Sequence, residues 1–129
     1  MLQLGVSLPQ TDIGGDPLVV KEFATTAEAL GFSHLAVYDH VIGINPQARP
    51  DWRGPYTSGD CFHDPFALFG FLASCTRSIE LSTHVLIVSQ RQTVLVATSN
   101  SQAHGTTSPT LASTQCRFSV LSLCGLAAI

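Results

Sequence analysis

Asp39 and His40 stand side by side at the end of the run His34-Leu35-Ala36-Val37-Tyr38, and they are the pair in this sequence best suited to chemistry. An imidazole titrates near neutrality and can give or take a proton, while a carboxylate beside it can fix the ring or contact a ligand. An apolar run short enough for one strand, ending abruptly in two titratable side chains, is how a buried parallel strand delivers polar groups to a pocket. The competing reading is structural: Asp39 caps the next turn and His40 is a surface loop residue. The other histidines add less. His34 and His63 read as structural or loop residues, and a zinc site from His40, His63 and His84 has no ligand pair at local spacing, so no metal is expected. Cys61, Cys75, Cys116 and Cys124 form no Cys-x-x-Cys pair and read as reduced thiols.

The elements that must position Asp39 and His40 are legible around them. Residues 2–8 alternate apolar with small or polar side chains and stop at Pro9, which reads as a first strand. Residues 11–15 form a polar loop with two glycines. Asp16-Pro17 supplies a helix cap followed by proline at the first helical position. Val20, Phe23, Ala24, Ala27 and Leu30 then recur at three- and four-residue intervals and mark one buried helix face. Gly31 ends that helix as the residue free to take positive φ, with Phe32 folding back on the last turn. The strand at His34 follows.

Residues 41–63 are rich in Gly, Pro, Asn, Asp, Arg and aromatics, a long excursion of the kind used for lids and binding loops, or else a disordered insertion. Asp64-Pro65 repeats the helix start. Residues 66–76 are apolar almost all round, which predicts a helix covered on more than one side. Residues 79–88 predict a third strand rich in β-branched residues, 89–92 a polar turn, and 93–97 the opening of a further helix.

Strand and helix therefore alternate, the signature of a parallel sheet built from βαβ units. Gly14-Gly15 lacks the Gly-x-Gly-x-x-Gly spacing of a dinucleotide-binding turn, so a barrel is preferred to a doubly wound sheet. In either, ligands gather beyond the carboxyl ends of the strands, where Asp39 and His40 fall. Net charge is −3 and the six Lys and Arg never cluster, which excludes a nucleic-acid surface. The start of the chain has no basic region before its apolar residues, so a cytoplasmic protein is expected. The apolar run 118–129 falls short of the roughly 20 residues that span a bilayer.

Taken together, the first strand ending near Leu8-Pro9, Glu28-Ala29-Leu30-Gly31-Phe32, Val37-Tyr38-Asp39-His40, the Asp64-Pro65 start, Ile79-Glu80-Leu81 leading to Val85-Leu86, and 91–97 as a helix start resemble the amino-terminal part of the luciferase-like monooxygenase family. The resemblance covers residues 1–97 and implies about three βα units of a TIM (β/α)8 barrel. It implies a flavin- or deazaflavin-dependent oxidoreductase acting on a small organic substrate, with FMN or the deazaflavin coenzyme F-420 as cofactor. His40 would then be catalytic, and Asp39, His84 and Val85 would contact the cofactor. In several members the position of His84-Val85 holds a non-prolyl cis peptide in a bulge behind the flavin ring, and a histidine there departs from the small residue expected.

The resemblance stops at Ala97. Residues 98–129 contain no Asp, Glu or Lys, Ser and Thr dominate, and helical periodicity vanishes. This non-matching tail reads as a frameshifted, poorly ordered segment or as a genuine divergent terminus. On the first reading the chain is a truncated product, inactive by itself, that self-associates through open sheet edges.

Overall fold

Two Asp-Pro dipeptides set where the longer helices begin. The structure is a computed structural model that describes residues 2–92 and the backbone of residues 118–120. The Asp16 carboxylate accepts the Leu18 N–H at 2.9 Å, and Asp64 Oδ1 accepts both Phe66 and Ala67 N–H at 3.0 Å. Each acid thereby satisfies donors that a first helical turn leaves open, and the proline beside it has no N–H to satisfy. After a single helical turn α1 (Gln10–Ile13), α2 runs Pro17–Ala29 and α3 runs Pro65–Ala73. Gly31, at φ 86°, closes α2: its N–H reaches Glu28 O and the Phe32 N–H reaches Ala27 O, the paired bonds of a left-handed helix cap.

Strands β1 (Gly5–Ser7), β2 (His34–Tyr38), β3 (Glu80–Val85) and β4 (Phe118–Val120) form an open parallel sheet in the order β1-β2-β3-β4. Register pairs Val6 with Leu35, Leu35 with Leu81, and Leu81 with Phe118. Leu35, Val37 and Leu81 share one core with Val20, Ala24 and Ala27 of α2 and Leu68, Phe69 and Leu72 of α3, with Val6 packed against it. Both helices therefore cover the same face of the sheet. The next row, Ser7, Ala36 and Ser82, points to the other face because strand side chains alternate. That face carries small and polar residues.

Helix α2 is tied to the entry of β3 by one carboxylate. Glu28 Oε1 accepts the N–H groups of Arg77, Ser78 and Ile79 and the Ser78 hydroxyl, so the turn 77–79 is held by a side chain from a neighbouring helix. Burial works to raise the Glu28 carboxyl, and the bonds from Ser78, Ile79 and Arg77 outweigh it, leaving the group below its ordinary 4.5.

Several sequence expectations need correction. The first strand is shorter than residues 2–8: it begins only at Gly5, Leu8 gives β2 a last bond from its N–H to Ala36 O at 2.9 Å, and Pro9 opens α1 inside the expected loop 11–15. The third strand ends at Val85, where Leu86 and Ile87 turn into a 3-10 turn at Val88–Gln90. Helix α3 is not covered on several sides. It buries Leu68, Phe69 and Leu72, and its outer strip is Ala67, Gly70 and Ser74 with Phe71 at 37% exposure. Small residues on that strip keep its apolar area low, so one-sided packing suffices. Residues 93–97, and the tail 98–129 apart from β4, lie outside the described residues.

Because Glu28 holds three backbone donors, Glu28→Ala is expected to lower stability by about 1–3 kcal/mol in denaturant melts near pH 7. Its folded value is depressed, so this contribution is present above the ordinary 4.5 and lost as pH falls through the lowered value. The gap between wild type and Glu28→Ala should therefore narrow on acidification; a gap constant from pH 7 to pH 3 would remove this role.

Candidate functional site at the strand exits

Asp39 leaves β2 buried at 4% exposure, and its carboxylate is fully engaged. Arg91 grips it with two bonds, Nη2 to Oδ1 at 2.6 Å and Nε to Oδ2 at 2.9 Å, and the Ile87 N–H adds a third to Oδ2 at 3.0 Å. The Asp39 N–H donates to Val85 O at 3.2 Å. Arg91 then reaches Asp64 Oδ2 through Nη1 at 2.6 Å, leaving Asp64 Oδ1 for its capping bonds. The planar fork of arginine matches a carboxylate in this two-bond geometry. The bonds from Asp39 chiefly raise the Arg91 guanidinium above its ordinary value, so it stays charged. Burial works to raise the Asp64 carboxyl, but the Ala67 N–H and Arg91 hold it below its ordinary value.

His40 follows Asp39 and packs its ring against Phe62 at 4.8 Å and Tyr56 at 5.3 Å between centroids, while Tyr56 and Phe62 meet edge to face at 4.9 Å. His40 Nε2 is buried without a hydrogen-bond partner, and so is His63 Nε2. A buried polar atom without a partner is uncommon and calls for an explanation, which a ligand or a proton-transfer role supplies. The loop that brings Tyr56 and Phe62 over His40 is ordered by its own bonds. Ser58 N–H donates to Ile44 O, and the Asp60 carboxylate accepts the Thr57 N–H and hydroxyl, bonds that, with His40 nearby, hold Asp60 below its ordinary value. Gly43 is required at that crossing, since a Cβ there would lie 2.5 Å from Thr57 O.

The expected bulge at His84-Val85 is present in a different form. Val37 pairs with Thr83 and Tyr38 with Val85, so His84 is the extra residue of a bulge on β3. No cis peptide bond occurs among the described residues. The cis peptide that several members of the resembled family hold at this position, and from whose small residue His84 departs, is thus not found here: an inserted residue makes the irregularity. His84 stacks on Tyr38, centroids 5.1 Å apart and planes 28° from parallel, and both rings are exposed.

The four residues singled out from the sequence thus lie at neighbouring strand exits, in three settings. His40 sits under an aromatic cover, His84 forms an open stack, and Asp39 and the Val85 carbonyl brace the backbone between strands. Asp39 has no carboxylate oxygen left over for a ligand, so its part is to fix the exit of β2. Sequence reading missed Arg91 as its partner, although Arg91 is the first formally charged residue after Glu80. It also missed Tyr38, Tyr56 and Phe62, and Gln10, whose buried amide donates to Tyr38 O at 2.8 Å and accepts the His63 N–H at 3.0 Å. Nothing in the sequence distinguishes Gln10 from a surface residue.

A groove of about 390 Å3 lined by Val6, Val19, Phe23, Leu30 and Phe32 is built on α2 and the edge strand β1, and none of the strand-exit residues contributes to it. Among the described residues no group of three or more His, Cys, Asp or Glu could hold a metal ion, and no helix is long and apolar enough to cross a membrane. Comparison with known protein families, curated proteins and solved structures gives no match.

Removing Arg91 strands the fully buried Asp39 carboxylate, whereas removing Asp39 leaves Arg91 paired with Asp64. Arg91→Met is expected to cost about 3–5 kcal/mol in chemical denaturation, and Asp39→Ala in the same background should add much less than it costs alone. Additive losses would show that the two side chains act independently.

Proposed function

We propose that this chain carries the amino-terminal βα units of a barrel-type oxidoreductase that uses a flavin or deazaflavin cofactor, with His40 as its proton-transfer group. The observation that carries the reading is the buried, unpartnered Nε2 of His40 at the carboxyl end of a parallel strand. Parallel strands in strictly sequential order, with both long helices on one face, support a barrel over a doubly wound sheet, where strand order reverses and helices cover both faces. The face opposite the helices, small and polar in the row Ser7, Ala36 and Ser82, is what such a barrel turns toward its interior near the mouth.

The residues present suit a planar ring system. Tyr38 and His84 offer an exposed stacked pair beside the strand exits, and His40 offers an imidazole nitrogen with no competing partner. A bound flavin or deazaflavin supplies hydride or oxygen chemistry that no side chain provides. The chain's own part is narrower. Asp39, held by Arg91, fixes the backbone from which His40 projects. Tyr56 and Phe62 keep water from the imidazole, and Nε2 accepts or donates one proton on the substrate or cofactor side. FMN and the deazaflavin coenzyme remain alternatives within this reading, and its substrate is a small organic molecule.

A second reading, a non-catalytic chain that associates through its sheet edge, is favoured by Leu2 at 85% and Leu4 at 61% exposure beside the unpaired side of β1. Titrating the full chain with FMN and with the deazaflavin coenzyme separates the two. Saturable fluorescence quenching by one of them, weakened at least about tenfold (1.4 kcal/mol) in His40→Ala and in Tyr38→Ala with unchanged melting, is the expected result. Lack of saturation by either, together with concentration-dependent association in light scattering, would replace the first reading with the second.

A further inference from the structure

We propose that Arg91 is the positioning residue of His40: it closes the neck of the loop 41–62 and so holds the aromatic cover on the imidazole. This rests on the reading of His40 as the proton-transfer group. The loop leaves the sheet at Asp39 and returns at Asp64, and Arg91, arriving from the exit of β3, binds both carboxylates at 2.6 Å. One guanidinium thus joins the first and last residues of the excursion. Asp64 does not need Arg91 for its helix cap, which uses the other oxygen, and Asp39 already braces Ile87. What the Asp64 arm adds is closure of the neck. The Arg91 guanidinium also lies 5.8 Å from the Phe66 ring centroid, a cation–π contact with the first turn of α3.

Gln10 repeats the arrangement one residue earlier on each side. Coming from the exit of β1, its amide joins Tyr38 O to the His63 N–H. The neck is therefore clasped twice, 38 to 63 by a neutral amide and 39 to 64 by a charged fork. His40 is the first residue inside the clasps, and Phe62 is the last. Their ring contact at 4.8 Å is fixed by how closely the two ends of the neck are held. With Arg91 removed, two buried or half-buried carboxylates face each other across the neck, and repulsion favours its opening.

The test uses the full chain and the rate at which diethyl pyrocarbonate modifies each histidine, followed by mass spectrometry of the peptides. His34 and His84 serve as internal references, since neither lies under the loop. In Arg91→Met, and in Arg91→Lys, which keeps the charge but loses the fork, His40 is expected to react at least about tenfold faster while His34 and His84 are unchanged. Asp64→Asn keeps an oxygen for the helix cap and weakens only the charged arm. It should give a smaller acceleration with the same selectivity for His40, and it carries the test if the Arg91 variants do not melt cooperatively. An unchanged His40 rate, or an equal rise at all three histidines, would overturn the proposal. Selective exposure of His40 without saturable flavin or deazaflavin binding would keep Arg91 as the clasp and reject the cofactor reading.

Discussion

The two-bond contact between Arg91 and Asp39 is the constraint on which the strand-exit region depends. A carboxylate with no side-chain exposure is tolerated because a guanidinium and a backbone N–H saturate it. The bonds from Asp39 keep Arg91 charged, and its third nitrogen goes to Asp64. From this contact follow the spacing between the exits of β2 and β3, the start of α3 and the closure of the loop over His40. The pair gains its energy from geometry as much as from charge, because a desolvated ion pair with poor geometry would not offset the water it gives up.

The two faces of the sheet divide the labour. Leu35, Val37 and Leu81 face the helices and join a single core with α2 and α3, which supplies the apolar burial. The opposite face carries Ser7, Ala36 and Ser82 in one row, and contributes little to that core. Polar chemistry collects at the carboxyl edge of the sheet, where strands stop and backbone groups lose their ladder partners. Gln10, Asp39 and Arg91 each satisfy such groups with side chains. The same need that makes strand ends polar also makes them the natural place for a site.

Carboxylates serve as local organisers throughout. Asp16 and Asp64 start helices, Glu28 holds the turn before β3, Asp60 holds the turn before Phe62, and Asp39 anchors the exit of β2. With only nine acidic residues in the chain, these five account for most of them. Formal charge here is spent on backbone N–H groups and one arginine, consistent with a surface that carries no extended field of either sign.

Helix starts, the glycine cap at Gly31, the buried face of α2 and the strand ending in Asp39-His40 were all readable in the sequence, because each follows from chemistry within a few residues. Parallel pairing also followed from the alternation of elements. Local pattern could not show that α3 is packed on one side only, since an all-apolar helix looks the same whether its outer strip is covered or merely small. Nor could it show the bulge at His84, which exists only in the register between two strands. The roles of Arg91 and Gln10 were hidden for a simpler reason: their partners are 27 to 53 residues away in the chain. Sequence thus determined which residues could do chemistry and which elements would carry them. Tertiary structure alone decided that Asp39 is consumed as an anchor while His40 keeps a buried nitrogen without a partner, because hydrogen-bond saturation depends on which distant donors the fold brings within about 3 Å.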